Sequence, residues 1–158
     1  MTDIDALRRT FTTNLLQTGR QWRRAVDQQL GSHGISEACA APLLWIGRLG
    51  GGVRQIVVAN HVGIEGASLV RLLDQLEEQG LILRKSDPDD RRANGLWLTE
   101  EGSRLAEHME SILVGLRAQI LADVSEADLL AALRVLQAFD AAGSIPLPRG
   151  TVPAEAQQ

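Results

Sequence analysis

Arg91 and Arg92 stand beside Asp87, Asp89 and Asp90 in the stretch SDPDDRRANG, residues 86–95. A guanidinium is a planar, permanently charged fork of donors, suited to phosphate oxygens and to the negative potential of a narrow nucleic-acid groove. Asp90, two residues before Arg92, is placed to hold that side chain in order, and an ordered arginine loses less entropy on binding. The alternative is a solvated turn with an incidental ion pair, a feature that contributes only about 0–1 kcal/mol. Other chemistry has weaker support. His33, His61 and His108 are scattered without metal-ligand spacing and read as surface or cap residues. The single cysteine, Cys39, excludes an intrachain disulfide and suits a reducing cytoplasm. A buried inert thiol is the expected role for it, and redox sensing is the alternative. No nucleophile constellation, phosphate loop or paired carboxylates stand out, so neither an enzyme nor a cofactor is expected.

The elements that position these residues are mostly helical. Ile4, Leu7, Phe11, Leu15, Trp22, Val26 and Leu30 recur at helical spacing and predict one long helix over 3–30, ended by GSHG. Ser36 is the expected cap of a second helix running to about Gly47, with Pro42 placed to bend it. GRLGGG breaks the chain. A short helix from Val53 to His61, a turn at Gly63-Ile64 and a helix from Glu65 to Gln79 are expected next. In the last of these Leu69, Leu72, Leu73 and Leu76 form the inner face, and Ser68, Arg71, Gln75 and Glu78 the outer. Gly80 closes it. LILRK and GLWLT then read as two strands around turn residues, with Leu96 and Leu98 on one face. Thr99 caps a long helix whose stripe is Leu105, Met109, Ile112, Leu116, Ile120 and Val124. SEAD at 125–128 is a capping-box variant opening a final helix to about Ala142. Residues 143–158, rich in Pro and small polar types, predict a mobile tail.

A short helix turning into a longer one, with a hairpin behind it, is a helix-turn-helix with a wing. The fold class expected is therefore mainly α with a small two-stranded β-wing, flanked by N- and C-terminal dimerisation helices. One domain spans 1–142, with dimerisation helices at 3–30 and 103–142 and the DNA-binding core at 53–99. The length of 158 residues, the 44 % hydrophobic content and the 23 % charged content suit one soluble domain. The net charge of −4 means that DNA binding must come from local placement and not bulk attraction. Between Arg54 and Arg92 six basic residues face seven acids. No apolar run suggests a membrane span and no signal segment opens the chain, so a cytoplasmic protein without a membrane partner is expected.

The run VVANHVGIEGASLVRLLDQLEEQGLILRKSDPDDRRANGLWLTEEG, residues 57–102, resembles the core of the MarR family, in particular its SlyA-like branch. The phrase GIE..SLVR.LDQLE..GLI.R followed by DRRA...LT carries the resemblance, which extends from WRRAVDQQL in the first helix to about residue 140. It implies a winged-helix homodimer, acting as a repressor on a palindromic operator and released by a small aromatic carboxylate or phenolic effector. Ser68 and Arg71 match the family pattern for DNA contact, with Gln75 a third candidate and Asp90, Arg91 and Arg92 at the wing. Arginine can donate two bonds to a guanine edge; the alternative for Arg71 is a helix partner, Gln75 or Asp74. In the first helix Arg20 and Arg23 resemble residues that hold carboxylates, with Trp22 beside them; core packing or solvent is the alternative. The second helix departs from the branch: Ala38, Ala40 and Leu44 replace an expected threonine, tryptophan and histidine. A roomier, more apolar pocket follows, with Trp45 placed to fill it or to join the core. Gly66-Ala67 also departs, standing where a polar residue and proline are usual. A winged-helix dimer that binds protein instead of DNA is the alternative function.

Overall fold

The computed structural model describes residues 3–64, 66–86, 94–140 and 143. The elements in order are α1 (Ile4–Gly31), α2 (Glu37–Arg48), β1 (Val53–Arg54), α3 (Gln55–Val62), α4 (Gly66–Glu78), β2 (Ile82–Ser86), β3 (Asn94–Leu98), α5 (Glu100–Ile120) and α6 (Glu126–Asp140). The expected class, mainly helical with a small wing, is what the chain adopts. It divides into two units, Met1–Ile120 and Leu121–Gln158. The tail expected from residue 143 lies outside the described residues except for Gly143.

Two differences from expectation concern the sheet. Val53 and Arg54 form a strand, so the short helix begins two residues later than its apolar pattern suggested. The sheet accordingly has three strands in the order β1-β3-β2, all antiparallel. Val53 pairs with Leu96 and Arg54 with Gly95, while β2 and β3 pair from Ile82–Leu98 to Ser86–Asn94. The Gly-rich break before β1 has its own task. Gly50, Gly51 and Gly52 all adopt positive φ, and a Cβ at Gly51 would lie 2.6 Å from the Trp97 ring. The backbone passes over the indole at a distance that no side chain permits.

Helix ends follow local chemistry. Asp3 accepts a bond from the Asp5 amide, 3.0 Å, at the start of α1. Thr99 Oγ1 accepts from the Gly102 amide, 3.0 Å, and donates to the Gly80 carbonyl, 2.7 Å, tying the end of α4 to the start of α5. At Ser125 half of the expected capping box forms: the Asp128 amide donates to Ser125 Oγ at 3.2 Å, while the Asp128 carboxylate accepts from the Ser125 hydroxyl at 2.6 Å. Ser36, by contrast, stands at the N-cap of α2 with no capping bond from its side chain; its carbonyl accepts from Cys39 and Ala40. Pro42 lies inside α2 and is fully buried.

The core gathers Leu30, Leu43, Ile46, Val58, Leu69, Leu73, Leu76, Ile82, Leu96, Met109 and Leu113. The inner face of α5 is rotated from the expected stripe toward Ala106 and Leu113. Leu105 and Ile112 are half-buried flanks, Ile120 is exposed, and Val124 lies past the helix end. Along α1 only Leu30 is buried, and nearly every residue from Asp3 to Arg24 is exposed. Among the described residues no single helix is long and apolar enough to cross a membrane.

Candidate nucleic-acid interface

The chain direction turns by 109° between α3 and α4, within the range of helix-turn-helix units. Gly63 makes the turn, with φ 71° and its amide donating to the Ala59 carbonyl at 2.8 Å. A left-handed residue at that point ends α3 and frees α4 to start in a new direction. Leu69, Leu73 and Leu76 are fully buried and fix the rotation of α4 about its axis. That rotation leaves Ser68, Arg71, Gln75 and Glu78 exposed, as their spacing predicts. Leu72 is only half-buried.

Arg71 makes no hydrogen bond or ion pair with the described residues. The alternative partner, Asp74, is engaged elsewhere. Arg84 of β2 donates to Asp74 at 2.6 Å and to Glu77 by a short bond, while its amide also donates to Glu77 at 3.2 Å. Partial burial tends to lower the Arg84 pKa, but hydrogen bonds and charge from Asp74 and Glu77 outweigh it and raise the value. This strut joins α4 to the wing and partly offsets the charge of Asp74 and Glu77. Sequence reasoning missed it. The available signal was a pair of acids three residues apart on the flank of a helix that turns directly into a strand.

The wing side chains divide by position. Lys85 lies over Trp97, 5.8 Å from the ring centroid. Asp90, Arg91 and Arg92 lie outside the described residues.

The residues expected around an effector are dispersed. Arg20 lines a shallow depression with Gln17, Gln21 and Arg24. Trp22 is exposed, not core. Arg23 donates to the Val62 carbonyl at 2.7 Å. Ala40 and Leu44 are buried in the core, and the side chain of Ala38 lies outside what is described. Trp45 stacks on His61 of α3, centroids 4.3 Å apart, with Arg48 5.3 Å over its ring. A cleft of about 460 Å³ does exist, between α2, β3 and α5. Leu44 borders it together with Gly47, Trp97, Leu98 and Ala106; Arg48, bonded to Glu110 at 2.6 Å, stands at its polar side. Of the expected effector residues whose side chains are described, Leu44 alone lines it. Elsewhere His33 and His108, distant in sequence, have ring centroids 6.2 Å apart, and Cys39 is a half-buried free thiol.

A helix-turn-helix backed by a three-stranded wing, with an outward-facing arginine on its second helix, defines a winged-helix protein of the transcriptional-regulator class. A model of the MarR family matches residues 33–93. The transcriptional regulator PA3341 is 36 % identical, with 84 % of this chain and 96 % of that one covered at a TM-score of 0.77. CouR from Rhodococcus jostii RHA1, solved bound to p-coumaroyl-CoA, is 27 % identical over 82 % and 90 % of the two chains, TM-score 0.71. A MarR-family regulator from Rhodococcus sp. RHA1 is 26 % identical over 84 % and 94 %, also with a TM-score of 0.71. The chain belongs to the MarR family.

Proposed function

We propose that this protein is a cytoplasmic, SlyA-like, sequence-specific regulator that binds duplex DNA as a homodimer on a palindromic operator and represses transcription. One observation carries the reading: α4 buries Leu69, Leu73 and Leu76 and turns Ser68, Arg71 and Gln75 outward, with Arg71 unpaired among the described residues. An unpaired guanidinium on the outer face of such a helix is available for a guanine edge. Ser68, near the N-terminus of α4, suits a phosphate, where backbone amides add their own attraction. Arg91 and Arg92 enter the minor groove beside each half-site, steadied by Asp90. The dimer reading is supported by the apolar residues exposed along α1, among them Ile4, Leu7 and Phe11.

The proposed effector is an aromatic or phenolic anion. A relative 27 % identical was solved with p-coumaroyl-CoA, which joins a phenol to anionic phosphates. Arg20, which lines a separate depression on α1, is the proposed charged partner, and Leu44 opens onto a cleft whose lining is largely apolar. Such a ligand releases DNA only by binding the DNA-free dimer better, and operator must weaken the ligand by the same factor. Selection of genomic fragments by the purified chain, followed by footprinting, tests the DNA claim. Protection of paired half-sites about 34 Å apart is expected. Protection of isolated half-sites refutes the paired reader, and recovery of no preferred fragment favours a protein-binding module. Calorimetry with aromatic acids and p-coumaroyl-CoA, on the native chain and Arg20→Ala, tests the effector: ligands that bind neither, or leave operator affinity unchanged, refute it.

A further inference from the structure

A polar link between α1 and the helix-turn-helix spans 39 positions of sequence: Arg23 Nη2 donates to the Val62 carbonyl at 2.7 Å. Val62 is the last residue of α3, so its carbonyl has no acceptor role further along the helix and sits at the negative end of the helix dipole. A guanidinium satisfies both conditions at once. The site is shaped for it, because a Cβ at Gly63 would stand 3.3 Å from the same Nη2. The last turn of α3 is also held by α2, where Trp45 stacks on His61. The chain then passes through Gly63 and Ile64 into α4. Where α3 ends therefore decides where α4 points.

We infer that Arg23 is a positioning residue for DNA reading: from α1 it caps α3, fixes the turn at Gly63 and so sets the aim of Arg71, without touching DNA itself. The inference rests on the DNA-reading role proposed above. It moves Arg23 from a ligand set to the reading apparatus, and it makes α1 a lever on the helix-turn-helix.

The test compares full-length Arg23→Gln and Arg23→Lys with the native chain, by hydrogen exchange and by operator binding. In Arg23→Gln the amides of Gly63, Ile64 and the first turn of α4 should exchange about fivefold faster, with α5 unchanged. Operator affinity should fall about tenfold, the loss expected for a bond made by a charged group, while affinity for random DNA falls less. Lysine keeps a cation able to donate to the carbonyl, so Arg23→Lys should recover most of both effects. Unchanged exchange at the turn overturns the inference, as does an equal increase in α5, which marks general loosening. If the native chain shows no operator preference, the DNA-reading proposal fails by itself. Faster local exchange in Arg23→Gln would then still support the cap on α3, and unchanged exchange would overturn it.

Discussion

The stretch from Leu30 to Leu116 and the first twenty residues of α1 are built on different terms. The former supplies the buried apolar core among the described residues, and no buried side-chain polar atom among them lacks a partner. The latter belong to a 28-residue helix, about 42 Å long, and none of the twenty is buried. Taken by itself, α6 likewise has no buried residue, and Leu133, Val135 and Phe139 are exposed. Exposed apolar residues at helical spacing mark an interaction surface when they form a stripe. The proposed reading head is thus specified by one chain, while the exposed stripes of the arms support the proposed second copy.

The sharpest way to break that contrast is to place charge on the arm. Leu7→Lys with Phe11→Lys should raise the dimer dissociation constant at least about a hundredfold, since each apolar side chain buried contributes roughly 1.5–3 kcal/mol. Sedimentation showing an unchanged dimer would mean that α1 does not supply the interface.

In the reading head a single methyl should be enough to do harm. A Cβ at Gly102 would lie 1.9 Å from the Leu81 carbonyl oxygen, the same oxygen that accepts from the Thr99 amide at 3.0 Å. Gly102→Ala should destabilise by about 3 kcal/mol, read by denaturant unfolding, whereas Gly19→Ala in α1, with open space around it, should be neutral or slightly stabilising. Equal effects at the two glycines would erase the distinction between head and arm.

Smaller effects sharpen the picture. Arg84→Gln leaves Asp74 and Glu77 uncompensated on α4. The carboxylates are partly exposed, so the loss of stability should be about 1 kcal/mol, while DNA affinity falls and its salt dependence changes. Unaltered DNA binding would show that the strut is only structural. Smallest of all, Arg104→Ala removes exposed pairs with Glu100 and Glu101 and should move stability by no more than about 0.5 kcal/mol in thermal melts.

What the sequence made legible was periodic. Leu69, Leu73 and Leu76 repeat with the helix, so the inner and outer faces of α4 were readable, and with them Ser68, Arg71 and Gln75. Turn residues around an alternating Leu96-Trp97-Leu98 made the hairpin readable too. β1 was not legible, because two residues carry no period and their pairing depends on Leu96 and Gly95, some forty positions away. GRLGGG read as a break; its use as a berth for Trp97 depends on tertiary contact. The same holds for Arg23, whose acceptor is a backbone carbonyl that no side-chain pattern announces. The face of α5 was misjudged because its apolar residues outnumber those that one core contact needs, leaving Leu105 and Ile112 as flanks.

The central claim is that the outer face of α4 reads sequence, and Arg71→Ala tests it most directly. Affinity for a selected operator and for a random duplex of equal length should be measured at one salt concentration, for the native chain and the variant. An operator-specific loss of about 1–3 kcal/mol with little change on random DNA is expected. An equal loss on both duplexes, or none on either, would contradict it.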